Sequence, residues 1–320
     1  MSNRTERLPV VVTGGAGAIG SVLARRLAAV GHRIRIIDNL SSGHRDRFKD
    51  LEDDGTLQFH QLDLRQPSGL GEIMRGADSV WHFAANPDIP KGLADPRVDL
   101  EHGTLATAHV LEAARQAHVP RFLFASSSVV YGLPMVFPTP ESYGPLLPQS
   151  QYGASKLASE AMISAYCYCY GMKGWIFRFA NIVGPGMSHG VIYDFLRKLQ
   201  RDPTRLEVLG DGRQAKSYLW VDDCVDAMLL AEERSQETVN VFNLGTDQQV
   251  PVRDIAERVV RALGGTARIE YTGGVQGWVG DIPRQLLSVE KIHALGWRPR
   301  FDSSTTVDKA IASGRAELGL

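Results

Sequence analysis

Residues 10–20 read VVVTGGAGAIG, and this stretch decides the fold. Three β-branched residues form a short apolar run before a glycine cluster, and Ser21 to Val30 then carries Val22, Leu23, Leu27 and Val30 at helical spacing. Strand, tight turn and helix follow one another. Gly14, Gly17 and Gly20 stand in a G-x-x-G-x-x-G pattern between them. Glycine is required there for the turn, for close approach of backbone to a pyrophosphate, and for packing of helix on strand. The helix start, Ala18 and Ile19 included, offers free N–H groups to a diphosphate. A glycine triplet alone also fits an ordinary turn, but Asp38 ends the next apolar run 21 residues beyond Gly17. That spacing suits a carboxylate on the adenosine ribose, where a 2′-phosphate is repelled, so the expected cofactor is NAD in preference to NADP. Arg33 and Arg35 precede Asp38 and oppose that preference.

Outward from this loop the pattern repeats. Strands are expected over residues 33–38, 57–62, 79–83, 121–126 and 175–181, with helix-like stretches between most of them. Such alternation predicts a doubly wound parallel sheet covered by helices on both faces, a Rossmann α/β fold. Residues 100–117 and 151–170 are long, alanine-rich helical stretches with apolar residues on more than one face, which predicts cover on several sides, a second subunit included. Glycine and proline become dense at Gly184, Pro185, Gly186 and Gly190, while residues 219–233 and 239–244 return to helix and strand. The expected division is therefore discontinuous: residues 1–181 with 216–247 form the dinucleotide-binding domain, and 182–215 with 248–320 form a smaller substrate lobe.

Composition narrows the function. Lys and Arg number 35 against 36 Asp and Glu, a formal charge of -1, so no global field draws the chain to nucleic acid or anionic membrane. No apolar stretch of about 18 residues is present to span a bilayer, and the first residues lack the apolar core of a signal peptide. Cys167, Cys169 and Cys224 give neither a complete set of pairs nor zinc-ligand spacing. A cytoplasmic protein acting on a small molecule, without metal, is expected.

Two further clusters carry chemistry. Ser126, Ser127 and Ser128 close the fifth strand, at the edge where open α/β sheets bind ligands. Tyr152 and Lys156 begin the long helix after it, four residues apart and so on one face. Either cluster alone is commonplace, strand-end serines usually capping backbone; both after a dinucleotide fingerprint point to redox chemistry on a carbinol. Its hydroxyl proton needs a base, and ionising a free tyrosine at neutral pH costs roughly 4 kcal/mol. A neighbouring ammonium and the positive nicotinamide favour the phenolate, making Tyr152 the base, with Ser127 orienting the hydroxyl.

With these residues in place, the chain resembles the extended short-chain dehydrogenases/reductases, and among them is most similar to the UDP-glucose (UDP-galactose) 4-epimerases. The similarity continues through residues 38–43 (DNLSSG), 63–64, 82–85 (HFAA), 124–132 (FASSSVVYG), 178–185 (RFANIVGP), 189–195 (HGVIYDF) and 209–223. The resemblance implies NAD contacts at Asp38, Asn39, Ser42, Gly43, Asp63, Leu64, Phe83, Ala84, Ala85 and Ser126, and catalysis by Ser127, Tyr152 and Lys156. It implies nucleotide-sugar contacts at Ser127, Ser128, Tyr152, Asn181, Val191, Lys216, Tyr218 and Asp281, and a homodimer, with Arg213 or Lys216 as the cation for the diphosphate. The implied reaction is reversible oxidation at C4 of a UDP-hexose through a 4-keto sugar. Four positions depart from the family pattern: Ala18 replaces a usual phenylalanine, Leu100 an asparagine beside the cofactor, Trp278 an arginine for the diphosphate, and Gln285 lies in the hexose-lining region. Competing readings are a dehydratase, whose Asp-Glu pair is absent at Ser128-Val129, a net dehydrogenase or reductase, and a non-catalytic NAD-binding regulator.

Overall fold

In the computed structural model, which describes residues 7–86 and 88–320, strand β1 (Arg7–Thr13) is an interior strand of the main sheet. Its Val10, Val11 and Val12 are all buried. Alternate residues of a strand point to opposite faces, so three consecutive buried valines require cover on both. That is why the segment reads as a continuous apolar run and not as an alternation.

The sheet has seven strands. Besides β1 these are β2 (His32–Asp38), β3 (Leu57–Gln61), β4 (Ser79–His82), β5 (Arg121–Ser127), β6 (Lys173–Phe179) and β11 (Val239–Leu244), in the order β11-β6-β5-β4-β1-β2-β3. β1 pairs in parallel with β2 and β4, β2 with β3, and β4 with β5. Strand order reverses beside β1, and this switch point brings the carboxyl ends of β1 and β4 together, where α/β sheets bind nucleotides. The doubly wound fold expected from the sequence is the one observed.

By contact the chain forms two units: one holds the described residues up to Ser126 with Ala154–Phe177 and Glu232–Val241, the other Ser127–Gly153, Arg178–Ala231 and Phe242–Leu320. In the first, Val11, Ile37, Leu70, Met74, Val110, Leu111, Phe122, Phe124 and Ile163 form a buried cluster drawn from strands and from the helices Leu70–Met74, Ala106–Gln116 and Gln151–Tyr170. Gly103 lets two of these segments close up, since a Cβ on it would lie 2.6 Å from Ser155 Oγ. The expected helix over 100–117 begins as a π-helical turn, Leu100–Leu105, before the α-helix Ala106–Gln116.

The second unit is built on amphipathic helices. Ile192, Phe195, Leu196 and Leu199 of helix Val191–Arg201 recur at i, i+3, i+4 and i+7, and Ile255, Ala256, Val259 and Val260 line helix Val252–Ala262. Val307, Ala310 and Ile311 of helix Ser303–Leu318 complete this core with Leu206 and Val208. Asp302 caps the last helix by accepting from Thr305 N at 2.7 Å. Short strands fill the rest: β7 (Asn181–Val183) beside β10 (Tyr218–Trp220), β8 (Arg205–Val208) beside β13 (Arg268–Tyr271), and β9 (Ala215–Lys216) between β12 (Val250–Pro251) and β14 (Arg284–Gln285). Among the described residues no helix is long and apolar enough to cross a membrane.

Candidate active site

The glycine loop is held by backbone sterics. Gly14 has φ +65°, and a Cβ there would lie 2.6 Å from Ala84 N and 2.8 Å from Ala84 Cα. A Cβ on Gly20 would lie 2.6 Å from the Gly14 carbonyl oxygen. Gly17 differs: a Cβ on it would approach Gly14 O at 3.1 Å and nothing else within 4 Å. It is also the N-cap of helix Ala18–Ala29, with no side chain capping it and no acidic residue in the first turn. The loop thus turns N–H groups and a positive helix end to an uncrowded side, which suits the pyrophosphate of NAD.

Asp38, at the end of β2, accepts from Ala16 N at 3.0 Å through one oxygen and from Leu40 N at 2.8 Å through the other. Each carboxylate oxygen has a second acceptor direction left for a ribose hydroxyl. Asp38 therefore shapes the loop as well as carrying its negative charge. Asn39 caps its own turn by accepting from Ser41 N at 3.0 Å, Ser42 is exposed, and a Cβ on Gly43 would lie 2.6 Å from Ala16 Cβ. Asp63 is paired with Arg65 at 2.7 Å, and hydrogen bonds from the Arg65 side chain pull its carboxyl down to about 2. Leu64 is buried, with its carbonyl accepting from His109 Nδ1 at 2.8 Å, while Phe83, Ala84 and Ala85 are half-buried just past β4.

A polar network lies beneath the loop. Thr13 Oγ1 is 2.6 Å from His82 Nδ1, and His82 Nε2 is 3.0 Å from Thr107 Oγ1, which donates to the Gly103 carbonyl at 2.7 Å. Ser159 donates to Thr107 at 3.2 Å, linking the long helix to the same chain of bonds. His82 is fully buried; burial first, then the Lys156 charge, push its imidazole down to about 3. It is neutral at physiological pH.

Helix Gln151–Tyr170 has the bounds expected from the sequence, with Tyr152 half-buried in its first turn and Lys156 one turn on. Lys156 is 3% exposed, donates from Nζ to the Ala125 carbonyl at 2.7 Å, and sits 4.7 Å from the centroid of the Phe124 ring. Burial lowers its ammonium to about 8 against the opposing charges of Glu160 and Asp99. Ser127 ends β5 and accepts weakly from Val129 N at 3.4 Å, so its O–H remains able to donate; Ser128 is buried in the 3-10 turn that follows. Ser126 is buried and donates to Glu160.

The residues expected on the sugar side lie in the second unit. Asn181 donates through Nδ2 to the Ser217 carbonyl at 3.1 Å and to Gln285 Oε1 at 3.3 Å, tying the family departure at 285 to an expected ligand. Lys216 is ion-paired with buried Asp281 at 2.7 Å, and Asp281 also accepts from Gly277 N at 3.2 Å. Val191 is half-buried at the start of its helix, and the Arg213 side chain is 81% exposed. Tyr218 is 2% exposed within the apolar core, where burial raises its phenol.

Among the buried polar residues to which the sequence assigned no role of their own are His82, Asp99 and Glu160. Glu160 had a signal, the four-residue step that continues from Tyr152 through Lys156. Asp99 explains part of the departure at Leu100: Leu100 is 57% exposed at the π-turn, while Asp99 beside it is 1% exposed, accepts from Asn86 Nδ2 at 3.1 Å and is raised by burial. Among the described residues no cluster of His, Cys, Asp and Glu is arranged to hold a metal.

Residues 10–245 match the model of the NAD dependent epimerase/dehydratase family. A putative UDP-glucose 4-epimerase of Methanocaldococcus jannaschii is 28% identical over 94% of this chain and 97% of its own length. GDP-mannose 3,5-epimerase 1 of Oryza sativa subsp. japonica is 32% identical over 92% of this chain and 78% of its own. The crystal structure of a UDP-galactose 4-epimerase superposes with a TM-score of 0.87 at 41% identity, covering 97% of this chain and 99% of that one. The family match spans most of the chain, and the chain belongs to the NAD-dependent epimerase/dehydratase family.

Proposed function

We propose that this protein is an NAD-dependent nucleotide-sugar 4-epimerase, with UDP-glucose and UDP-galactose as the pair it interconverts. The observation that carries the reading is the first part of helix Gln151–Tyr170: Tyr152 stands one turn from a lysine whose ammonium is buried and pinned to the Ala125 carbonyl. A 41% identical structure of a UDP-galactose 4-epimerase supports the choice of sugar.

Gly14, Gly17 and Gly20, the N–H groups of Ala18 and Ile19, Asp38 and Asp63 would hold the dinucleotide, with Ala84 and Ala85 against it. Bound NAD supplies the acceptor for the hydrogen that leaves the sugar carbon and returns it. Tyr152 takes the C4 hydroxyl proton. Ser127, its O–H free to donate, orients that oxygen. Lys156 stays charged so that the phenolate forms near neutral pH, an effect worth roughly 4 kcal/mol if it brings the phenol from about 10 to about 7. Tyr152 later gives the proton back to the ketone after the ring has turned its other face. That turn requires a firmly held nucleotide and a loosely held hexose. Asn181, Val191, Arg213, Lys216, Tyr218 and Asp281 are assigned to the nucleotide side. Lys216 is already paired with buried Asp281 at 2.7 Å, whereas Arg213 is 81% exposed and only loosely paired with Asp211 at 3.9 Å, so Arg213 is the cation that would take over the role of the arginine replaced by Trp278.

A dehydratase needs carboxyl groups where this chain has Ser128 and Val129, and that favours epimerisation. Exposed Leu100, Leu105, Tyr168 and Tyr170 in and beside the two long helical segments support a homodimer, and three free cysteines support a cytoplasmic location. The test is to incubate the purified protein, with no cofactor added, with UDP-glucose, UDP-galactose, their N-acetyl and uronate analogues and GDP-mannose, and to resolve the epimers by NMR. Interconversion at C4 is expected, and Tyr152→Phe is expected to lower it by about a thousandfold or more. Full turnover in that variant removes the proposed base; exchange at C3 or C5 of GDP-mannose without C4 epimerisation replaces the proposed reaction.

A further inference from the structure

Tyr152, Lys156 and Glu160 lie four residues apart on one helix, so the phenol, the ammonium and a carboxylate share a face in successive turns. Glu160 is 5% exposed and takes the hydrogen bond of Ser126, itself 2% exposed. The residue before Ser126 supplies the carbonyl on which Lys156 rests. Two consecutive residues of β5 are thus tied to two charged groups of one helix, through a carboxylate and an ammonium. A charge buried to this degree is retained at a considerable cost unless it is paired, and no step of the proposed reaction consumes the carboxylate.

We propose that Glu160 is a positioning residue of the redox site: it fixes the end of β5 through Ser126 and keeps the Lys156 ammonium charged from one helical turn away. The inference rests on the reading that Lys156 serves the Tyr152 phenolate. Among the described residues, the titratable and charged groups facing Lys156 include Glu160 on its own helix, Asp99 on helix Arg97–Asp99 and His82 on β4, with Tyr152 one helical turn before it. His82 is neutral in the working range, and burial raises the Asp99 carboxyl. Glu160 is the larger of the two charges that oppose loss of the Lys156 proton. Lys156 has been lowered to about 8 by burial, so activity that needs its charge is present below that value and lost above it. Removing the Glu160 charge lowers it further and brings the loss to lower pH.

The experiment compares Glu160→Gln, Glu160→Asp and Ser126→Ala with wild type, reading kcat/KM for the nucleotide sugar against pH. The alkaline limb is expected to move down by about one pH unit, tenfold in proton affinity, in Glu160→Gln and to stay in place in Glu160→Asp. Ser126→Ala is expected to lower kcat several-fold with the limb unmoved. A readout without turnover is the tyrosinate ultraviolet absorption of the resting protein, taken as the difference from Tyr152→Phe, whose phenolate fraction at mildly alkaline pH should fall in Glu160→Gln. A limb and a tyrosinate titration unchanged in Glu160→Gln overturn the proposal, as does a limb displaced equally by Glu160→Asp. Should Glu160→Gln fail to fold, Glu160→Asp and Ser126→Ala decide: slowed turnover in both with an unmoved limb is required, and normal turnover in either overturns it. Full activity of Tyr152→Phe defeats the underlying reading, whereas an inactive Tyr152→Phe beside an unshifted Glu160→Gln defeats the role of Glu160 alone.

Discussion

The two units of this chain are specified in different ways. In the first, the nucleotide-binding turn is fixed by backbone touching backbone: a Cβ on Gly14 or Gly20 would fall 2.6 Å from a main-chain atom. In the second, the corresponding positions are fixed by side-chain pairs, Lys216 with Asp281 and Asn181 with Gln285. A backbone constraint admits one residue type and so prints itself on the sequence. A side-chain pair admits several solutions, and this chain has used its own at Trp278 and Gln285.

The largest expected effect breaks the first kind of constraint. Gly14→Ala places a methyl against Ala84 N and Cα at a φ of +65°, which L residues adopt at a penalty. With the backbone overlap added, the loss is about 4–5 kcal/mol. Thermal unfolding should show a protein that is largely unfolded at ambient temperature or unable to retain NAD. A variant with wild-type melting and bound NAD would mean that the turn relaxes, and that the contrast between the units is one of degree.

A second effect of the same unit is read by acid. His82 binds no proton in the native state until about pH 3, while an unfolded imidazole takes one near 6.5. The unfolded state therefore binds more protons between these values, and stability falls with falling pH across that window. The expected loss is about 3 kcal/mol by pH 4, and His82→Gln, which lacks the titration, should flatten that slope in denaturant unfolding followed from pH 7 to 4. An unchanged slope would assign acid sensitivity to the carboxylates instead.

How much of this was legible follows from the same distinction. The Rossmann sheet, the glycine loop, Asp38 and the bounds of helix Gln151–Tyr170 could be read because each rests on periodicity or on a residue with no substitute. The His82 network could not, since it depends on which strand lies beside which, and a lone histidine after an apolar run has no pattern. That Tyr218 packs into the apolar core of its unit could not be read either, since its neighbours in sequence give no sign of which face of β10 is covered. Leu100 marked a departure whose structural counterpart, buried Asp99 before a π-turn, depends on a one-residue irregularity that helical spacing does not reveal.

The side-chain constraint of the second unit should break with less effect. Lys216→Met leaves the Asp281 carboxylate, 6% exposed, with its Gly277 N–H and without its cation. Removal of one partner of a buried pair costs about 3–5 kcal/mol; Lys216 is 22% exposed, and solvent screening brings the expectation to about 2 kcal/mol. Pairing Lys216→Met with Asp281→Asn should recover part of it, because the uncompensated charge is then gone. If the double variant melts no higher than Lys216→Met alone, the pair is not what organises this region.

The smallest effect on stability separates folding from binding within the glycine loop itself. Gly17 has φ -72°, a conformation open to any residue, and a Cβ on it would meet Gly14 O at 3.1 Å and nothing else within 4 Å. Gly17→Ala should therefore change stability by less than about 1 kcal/mol, in contrast to Gly14→Ala three residues away. The added methyl nevertheless occupies the uncrowded side to which the helix N-terminus turns, so NAD should be held less tightly, by tenfold or more if the pyrophosphate approaches the backbone there. Melting temperature and NAD retention, measured on the same preparation, are expected to part company in this variant. Were they to move together, the openness at Gly17 would be a property of the turn and not of the ligand it receives.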